Sequence, residues 1–177
     1  MPRTNQERSP AEEVVAIVRD AGGRLVGRTR LQKTAYFLNL AGLGGDFSFG
    51  YRHYGPYSEE LTAAVRGASL RGAIRETERP TEWGGFYSIY ETEDGGPSST
   101  VDPARRALIE VAVDTDPVAL ELAATAAFLA LDGSPDPWVE TERRKPEKAG
   151  DGRLERARAL YRRLRAVPTP KPLPDLG

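Results

Sequence analysis

His53 is the only histidine in the chain, and there is no cysteine. A single imidazole could serve as a general base or as one ligand of a metal ion. With no second histidine and no acidic pair beside it in sequence, the expected role of His53 is a hydrogen bond to the backbone. Without cysteine there is no thiolate nucleophile, disulfide framework or Cys-containing zinc site. The patterns GxxxxGK(S/T), GxGxxG and HExxH are also missing, which removes the common phosphate-loop, dinucleotide and zinc-protease chemistries. Carboxylates are plentiful, but their spacing pairs none of them into an active site. The reading assigns no catalytic residue, no metal and no cofactor.

Two other residue groupings could do chemistry of a binding kind. Tyr54-Gly55-Pro56-Tyr57-Ser58 is the densest local motif, and aromatics of this sort give large rigid contact areas to a partner. Basic residues form the second grouping. Arg28, Arg30 and Lys33 stand in an acid-free stretch around the start of a predicted helix, where the helix dipole disfavours cations. Arg158, Arg162 and Arg163 stud the last predicted helix. Both basic clusters could track phosphates, or they could be solvated faces balanced by acids elsewhere. The net charge is −1, so global balance selects no partner. Lysine occurs only at positions 33, 145, 148 and 171, and the arginine excess reads as compositional bias.

These groups must be positioned by an α+β domain with about seven helices and a small antiparallel sheet. Ser9-Pro10 caps a helix over 10–21, and a second runs over 29–41. Phe47, Phe49, Tyr51 and His53 alternate as in a short strand, and Gly55-Pro56 reads as a turn. Ser58 caps a third helix. Residues 74–78 and 86–90 form a β-hairpin with Trp83 at its turn, and both Trp83 and Trp138 are assigned to hairpin or core packing. Asp102-Pro103, Asp116-Pro117 and Asp136-Pro137 each pair an acidic N-cap with a preformed first turn. They open helices over 103–113, 117–131 and 137–144, the second apolar all round. A last helix covers 152–166. Residues 1–8 and 93–100 read as disordered or mobile. Residues 167–177, rich in proline, read as an extended tail outside the 9–166 domain. The order helix, helix, strand, helix, hairpin is winged-helix-like, except that too many residues separate the second and third helices for a tight turn. No apolar run reaches membrane-spanning length and no secretory leader is present, so the expected location is the cytoplasm.

The run Leu31-Gln32-Lys33, the pair Tyr36-Phe37 and the turn Tyr54-Gly55-Pro56 resemble the Panacea, or SocA-like, antitoxin family. The fuller strings GRTRLQKTAYFL and FGYRHYGPYSEEL look closer to its YwgA-like members. The resemblance extends through Glu121-Leu122-Ala123-Ala124-Thr125, Lys145-Pro146-Glu147-Lys148-Ala149 and Leu160-Tyr161. It implies a small non-enzymatic domain that neutralises a toxin by direct contact or presents it to a protease. Gln32, Lys33, Tyr36, Tyr54, Gly55, Pro56, Tyr57 and Ser58 are then the expected contacts with a partner protein. The alternative expectation is a winged-helix-like nucleic-acid-binding regulator using Arg28, Arg30, Arg158, Arg162 and Arg163.

Overall fold

The computed structural model describes residues 8–93 and 101–177. Among them the chain forms eight helices and five strands in the order α1 (Pro10–Asp20), β1 (Arg24–Val26), α2 (Arg28–Leu40), β2 (Gly50–Arg52), β3 (Gly55–Tyr57), α3 (Glu59–Leu70), β4 (Arg75–Pro80), β5 (Phe86–Glu91), α4 (Pro103–Val113), α5 (Pro117–Leu131), α6 (Pro137–Arg144), α7 (Pro146–Ala149) and α8 (Arg153–Ala166). This is the expected α+β class. The expected loop at 94–100 and residues 1–7 lie outside the described residues.

The predicted caps are present. Ser9 forms a capping box with Glu12, and Ser58 accepts from the Leu61 N–H. Asp102, Asp116 and Asp136 each accept from first-turn amides behind a proline at the helix start. Val14, Ala16, Ile17 and Val18 bury the inner face of α1. α5 is the centre of the core: Ala119, Leu120, Leu122, Ala123, Ala124, Ala126 and Ala127 are all buried, and α2, α6, α8 and β3 pack around it. Its alanines let these neighbours approach closely on all sides. No helix among the described residues is long and apolar enough to cross a membrane.

Two sheets form. In the larger, the strand order is β1-β5-β4, all antiparallel, with Leu25 opposite Tyr90 and Thr77 opposite Ile89. With α1, α2 and α3 this is the winged-helix order. The residues between α2 and α3 are taken up by a second, two-stranded sheet, β2 against β3, inserted where a tight turn would stand.

Several expectations are corrected. β1 falls between the first two predicted helices, where no strand is expected; three residues carry too little periodicity, and β5 supplies its pairing. Gly55-Pro56 is a strand rather than a turn, and the reversal falls at His53-Tyr54, because Arg52 pairs with Gly55. The last turn before α8 is a separate short helix, α7. Trp138 is buried as expected, whereas Trp83 is 91% exposed at the β4–β5 turn. Arg8 was placed in a disordered terminus, yet its guanidinium meets Glu13 Oε2 at 3.2 Å.

The segment 167–177 is packed, contrary to its reading as a free tail. Leu173 and Leu176 are 4% and 6% exposed and belong to the core. An extended proline-rich chain has about three residues per turn, so side chains three apart share a face. Proline also restricts the unfolded chain, which lowers the entropy lost on docking.

One buried ion cluster fastens α4 to α1. Arg105 donates through Nε to Asp20 at 2.8 Å and through Nη1 to Glu13 at 2.6 Å and to the Leu43 carbonyl at 2.7 Å. All three side chains are essentially inaccessible. Removing the guanidinium strands two carboxylates in the interior. Arg105→Met is therefore expected to cost about 3–5 kcal/mol of stability in urea unfolding. Glu13→Gln, which keeps an acceptor, is expected to cost less.

Candidate functional site

Lysine supplies only four of the 25 basic residues, and three of those lysines meet at one place. Glu121 lies in the second turn of α5, 3% exposed. Lys145, at the junction of α6 and α7, donates to Glu121 Oε1 at 2.8 Å and to the His53 carbonyl at 2.8 Å. Lys148, on α7, donates to Glu121 Oε1 at 2.8 Å and Oε2 at 3.0 Å. Its ammonium also sits 4.3 Å from the centre of the Tyr54 ring, a cation–π contact. From α2, Lys33 reaches the Pro56 carbonyl at 2.6 Å. The β2–β3 hairpin is thus held from beneath by ammonium groups on two sides.

Gln32 completes the clamp. Its side-chain amide donates to the Ser58 carbonyl and its carbonyl accepts from the Ser58 N–H, both at 2.9 Å, so it pairs like a strand neighbour. Gly55 is fixed by close approach. Its φ is +81°, and a Cβ there would lie 2.5 Å from Thr125 Oγ1. Thr125 in turn donates to the Glu121 carbonyl at 2.8 Å. Four sequence segments, Leu31-Gln32-Lys33, Tyr54 to Ser58, Glu121 to Thr125 and Lys145 to Ala149, converge on this centre.

The convergence changes the roles expected from sequence. Gln32, Lys33, Tyr36, Gly55, Pro56 and Ser58 are buried within the fold. They position the hairpin instead. Tyr36 packs among Phe37, Phe49 and Phe128, and burial pushes its hydroxyl pKa upward. Tyr57 is half-buried, its hydroxyl 2.6 Å from Thr62 Oγ1. Of the expected contact residues, Tyr54 alone is openly exposed, at 53%. Arg52 and His53 beside it are exposed too and were not among the expected contacts. His53 shares the two-residue reversal with Tyr54, while Arg52 ends β2 and pairs with Glu59 at 2.8 Å. Next to the tip lies an open depression of about 590 Å³, lined by Tyr51, Arg52, His53, Arg144, Lys145 and Glu147.

The basic residues separate from this centre. Arg28 bonds Ser88, Glu76 and Glu78 of the sheet, and Arg30 bonds the Val26 and Thr115 carbonyls. The acid-free start of α2 is thus balanced by acids far along the chain. Arg158 lies 5.4 Å from the Trp138 ring centre, while Arg162 and Arg163 face solvent on α8. The His53 main-chain carbonyl accepts from Lys145, which is not the imidazole-to-backbone bond expected for it, and its ring lies edge-on to Tyr54 at 5.1 Å. Among the described residues, no cluster of three or more His, Cys, Asp or Glu side chains is disposed to hold a metal ion. Compared with protein-family models, curated proteins and solved structures, the chain matches none.

Burial pulls the Lys33 pKa down to about 7; Glu121 opposes the shift, and Lys145 and Lys148 add to it. An unfolded lysine titrates near 10.5. Between those values the unfolded chain binds the additional proton, so this group makes stability rise as pH is raised. Unfolding free energy is expected to be higher at about pH 9 than at about pH 6.5, and Lys33→Met is expected to flatten that rise. Gly55→Ala is expected to destabilise by about 2 kcal/mol or more. Adding Thr125→Ala should relieve the clash and leave only the strain of a positive φ, on the order of 1 kcal/mol.

Proposed function

We propose that the chain is a non-enzymatic, cytoplasmic regulatory domain that binds a partner protein, in the manner of SocA-like antitoxins that neutralise or present a toxin. The observation carrying this reading is the buried lysine–glutamate centre beneath the hairpin. Burying ammonium groups and a carboxylate is costly, and here the effect is to fix a reversal whose outer side chains, His53 and Tyr54, face solvent beside the exposed ion pair of Arg52 with Glu59. A surface fixed before binding loses little entropy on docking, which is what a specific contact requires. An aromatic at its tip and an arginine beside it are the side chains that carry most binding energy at interfaces. The adjoining depression offers a partner side chain somewhere to insert.

The nucleic-acid alternative loses two of its expected contacts, since Arg28 and Arg30 are engaged within the fold. The helix that would enter a groove in the winged-helix order, α3, opens with Glu59 and Glu60, which repel phosphates. These features favour the protein-binding reading.

A pull-down from native cytoplasm, with and without nuclease, separates the two. A stoichiometric protein that survives nuclease and is lost with the double variant Arg52→Ala, Tyr54→Ala is the expected result. Both substitutions are at exposed positions, so the melting temperature should change little. Retention of the partner by that variant sinks the hairpin assignment. Recovery of nucleic acid, with proteins lost on nuclease treatment, turns the reading to Arg162 and Arg163.

A further inference from the structure

Residues 167–177 hold their place by means unlike the rest of the core. They form no helix or strand. Two backbone hydrogen bonds tie them to the body, from the Val167 N–H to the Leu164 carbonyl at 3.2 Å, where α8 ends, and from the Lys171 N–H to the Ala41 carbonyl at 3.0 Å. Tyr161 on α8 donates its hydroxyl to the Pro174 carbonyl at 2.6 Å, and Arg165 meets Asp175 at 3.1 Å on the rim. Leu173, between the Lys171 and Pro174 anchors, and Leu176, just past Asp175, both descend into the apolar interior. Pro168, Pro170, Pro172 and Pro174 alternate along the segment.

The receiving surface is shaped for such a chain. Gly42, just past the end of α2, has φ +72°, and a Cβ there would lie 3.2 Å from Lys171 Cγ and 3.5 Å from Pro170 Cβ. The Tyr161 ring is set by Phe37 and Trp138, with ring centres 6.2 and 6.1 Å away. Its hydroxyl donor is therefore aimed before any ligand arrives. An oriented aromatic donor beside an apolar trough is the chemistry by which extended proline-rich segments are recognised, and their stiffness keeps the entropy loss small.

We propose that the groove between the end of α2 and α8 is a recognition site for extended proline-rich segments carrying two leucines three residues apart, and that residues 167–177 are its built-in occupant. The partner that fits is a protein presenting such a segment with an acidic residue between the leucines, to meet Arg165. It enters by displacing the strap. The strap therefore acts as a competing ligand in cis, at high effective concentration. This site is separate from the hairpin, and neither reading depends on the other.

The test uses the full chain with Leu173→Asp and Leu176→Asp, which expels the strap, and a fluorescein-labelled, amidated peptide of residues 167–177. The variant, checked for wild-type circular dichroism, is expected to bind the peptide with micromolar affinity. The wild-type chain should bind at least about ten times more weakly because its own strap competes. Adding Tyr161→Phe should weaken binding by about fivefold. A peptide with both leucines replaced by serine should not bind. A folded variant that ignores the peptide overturns the proposal. Hydrogen exchange on the wild-type chain decides the matter independently of whether the variant folds. The Lys171 amide should exchange at least about ten times faster than the amides of α5, by local opening. Exchange of Lys171 only together with α5 makes the strap ordinary core and overturns the proposal.

Discussion

A buried carboxylate on a helix packed on every side cannot be left unpaired, and Glu121 imposes that requirement on the elements around α5. Its partners must come from outside α5. They come from Lys145 and Lys148, brought into reach by the proline between them and the single turn of α7. Lys145 then has a further donor to place, and the His53 carbonyl takes it. A charge requirement at one core position thereby fixes the end of α6, the existence of α7 and the height of the β2–β3 hairpin. Lys33 and Gln32 repeat the arrangement from α2.

The chain uses its two kinds of cation for different geometry. Arginine dominates the basic residues, yet the centre beneath the hairpin is built from lysine. An ammonium is a compact charge with three donors, suited to bridging a carbonyl and a carboxylate within a small volume. The cluster joining α4 to α1 has the opposite need. There one group must reach two carboxylates and a carbonyl at separate angles, and the planar fork of Arg105 does so. Treating the arginine excess as compositional left the informative fact in the exceptions: which positions remain lysine.

Helix starts were legible because they are local. Serine and Asp-Pro caps act within one turn, so Ser9, Ser58, Asp102, Asp116 and Asp136 announced their helices without tertiary information. The all-apolar character of α5 likewise announced a central helix. What could not be read depends on pairing across the chain. β1 exists because β5 lies beside it, and Arg28 is neutralised by acids some fifty positions later. The candidate site was legible as a set of segments but not as a division of labour. Sequence marked Gln32, Lys33, Gly55 and Pro56 with Tyr54, and only burial separates the residues that hold from the one that shows. For 167–177, proline content suggested an extended tail, while the two buried leucines carried the packing signal that composition hid.

The separation of the partners along the chain has a consequence for synthesis. The bond from Lys145 to His53 and the ion pair from Arg105 to Glu13 each join residues 92 positions apart. During translation the hairpin emerges long before the lysines that clamp it. Glu13 and Asp20 wait similarly for Arg105. The early portion of the chain carries the contacts from Gln32 and Lys33 to the hairpin, whereas those from Lys145 and Lys148 await α7. The clamp that Lys145 and Lys148 place beneath that hairpin is thus completed only by the second half of the fold.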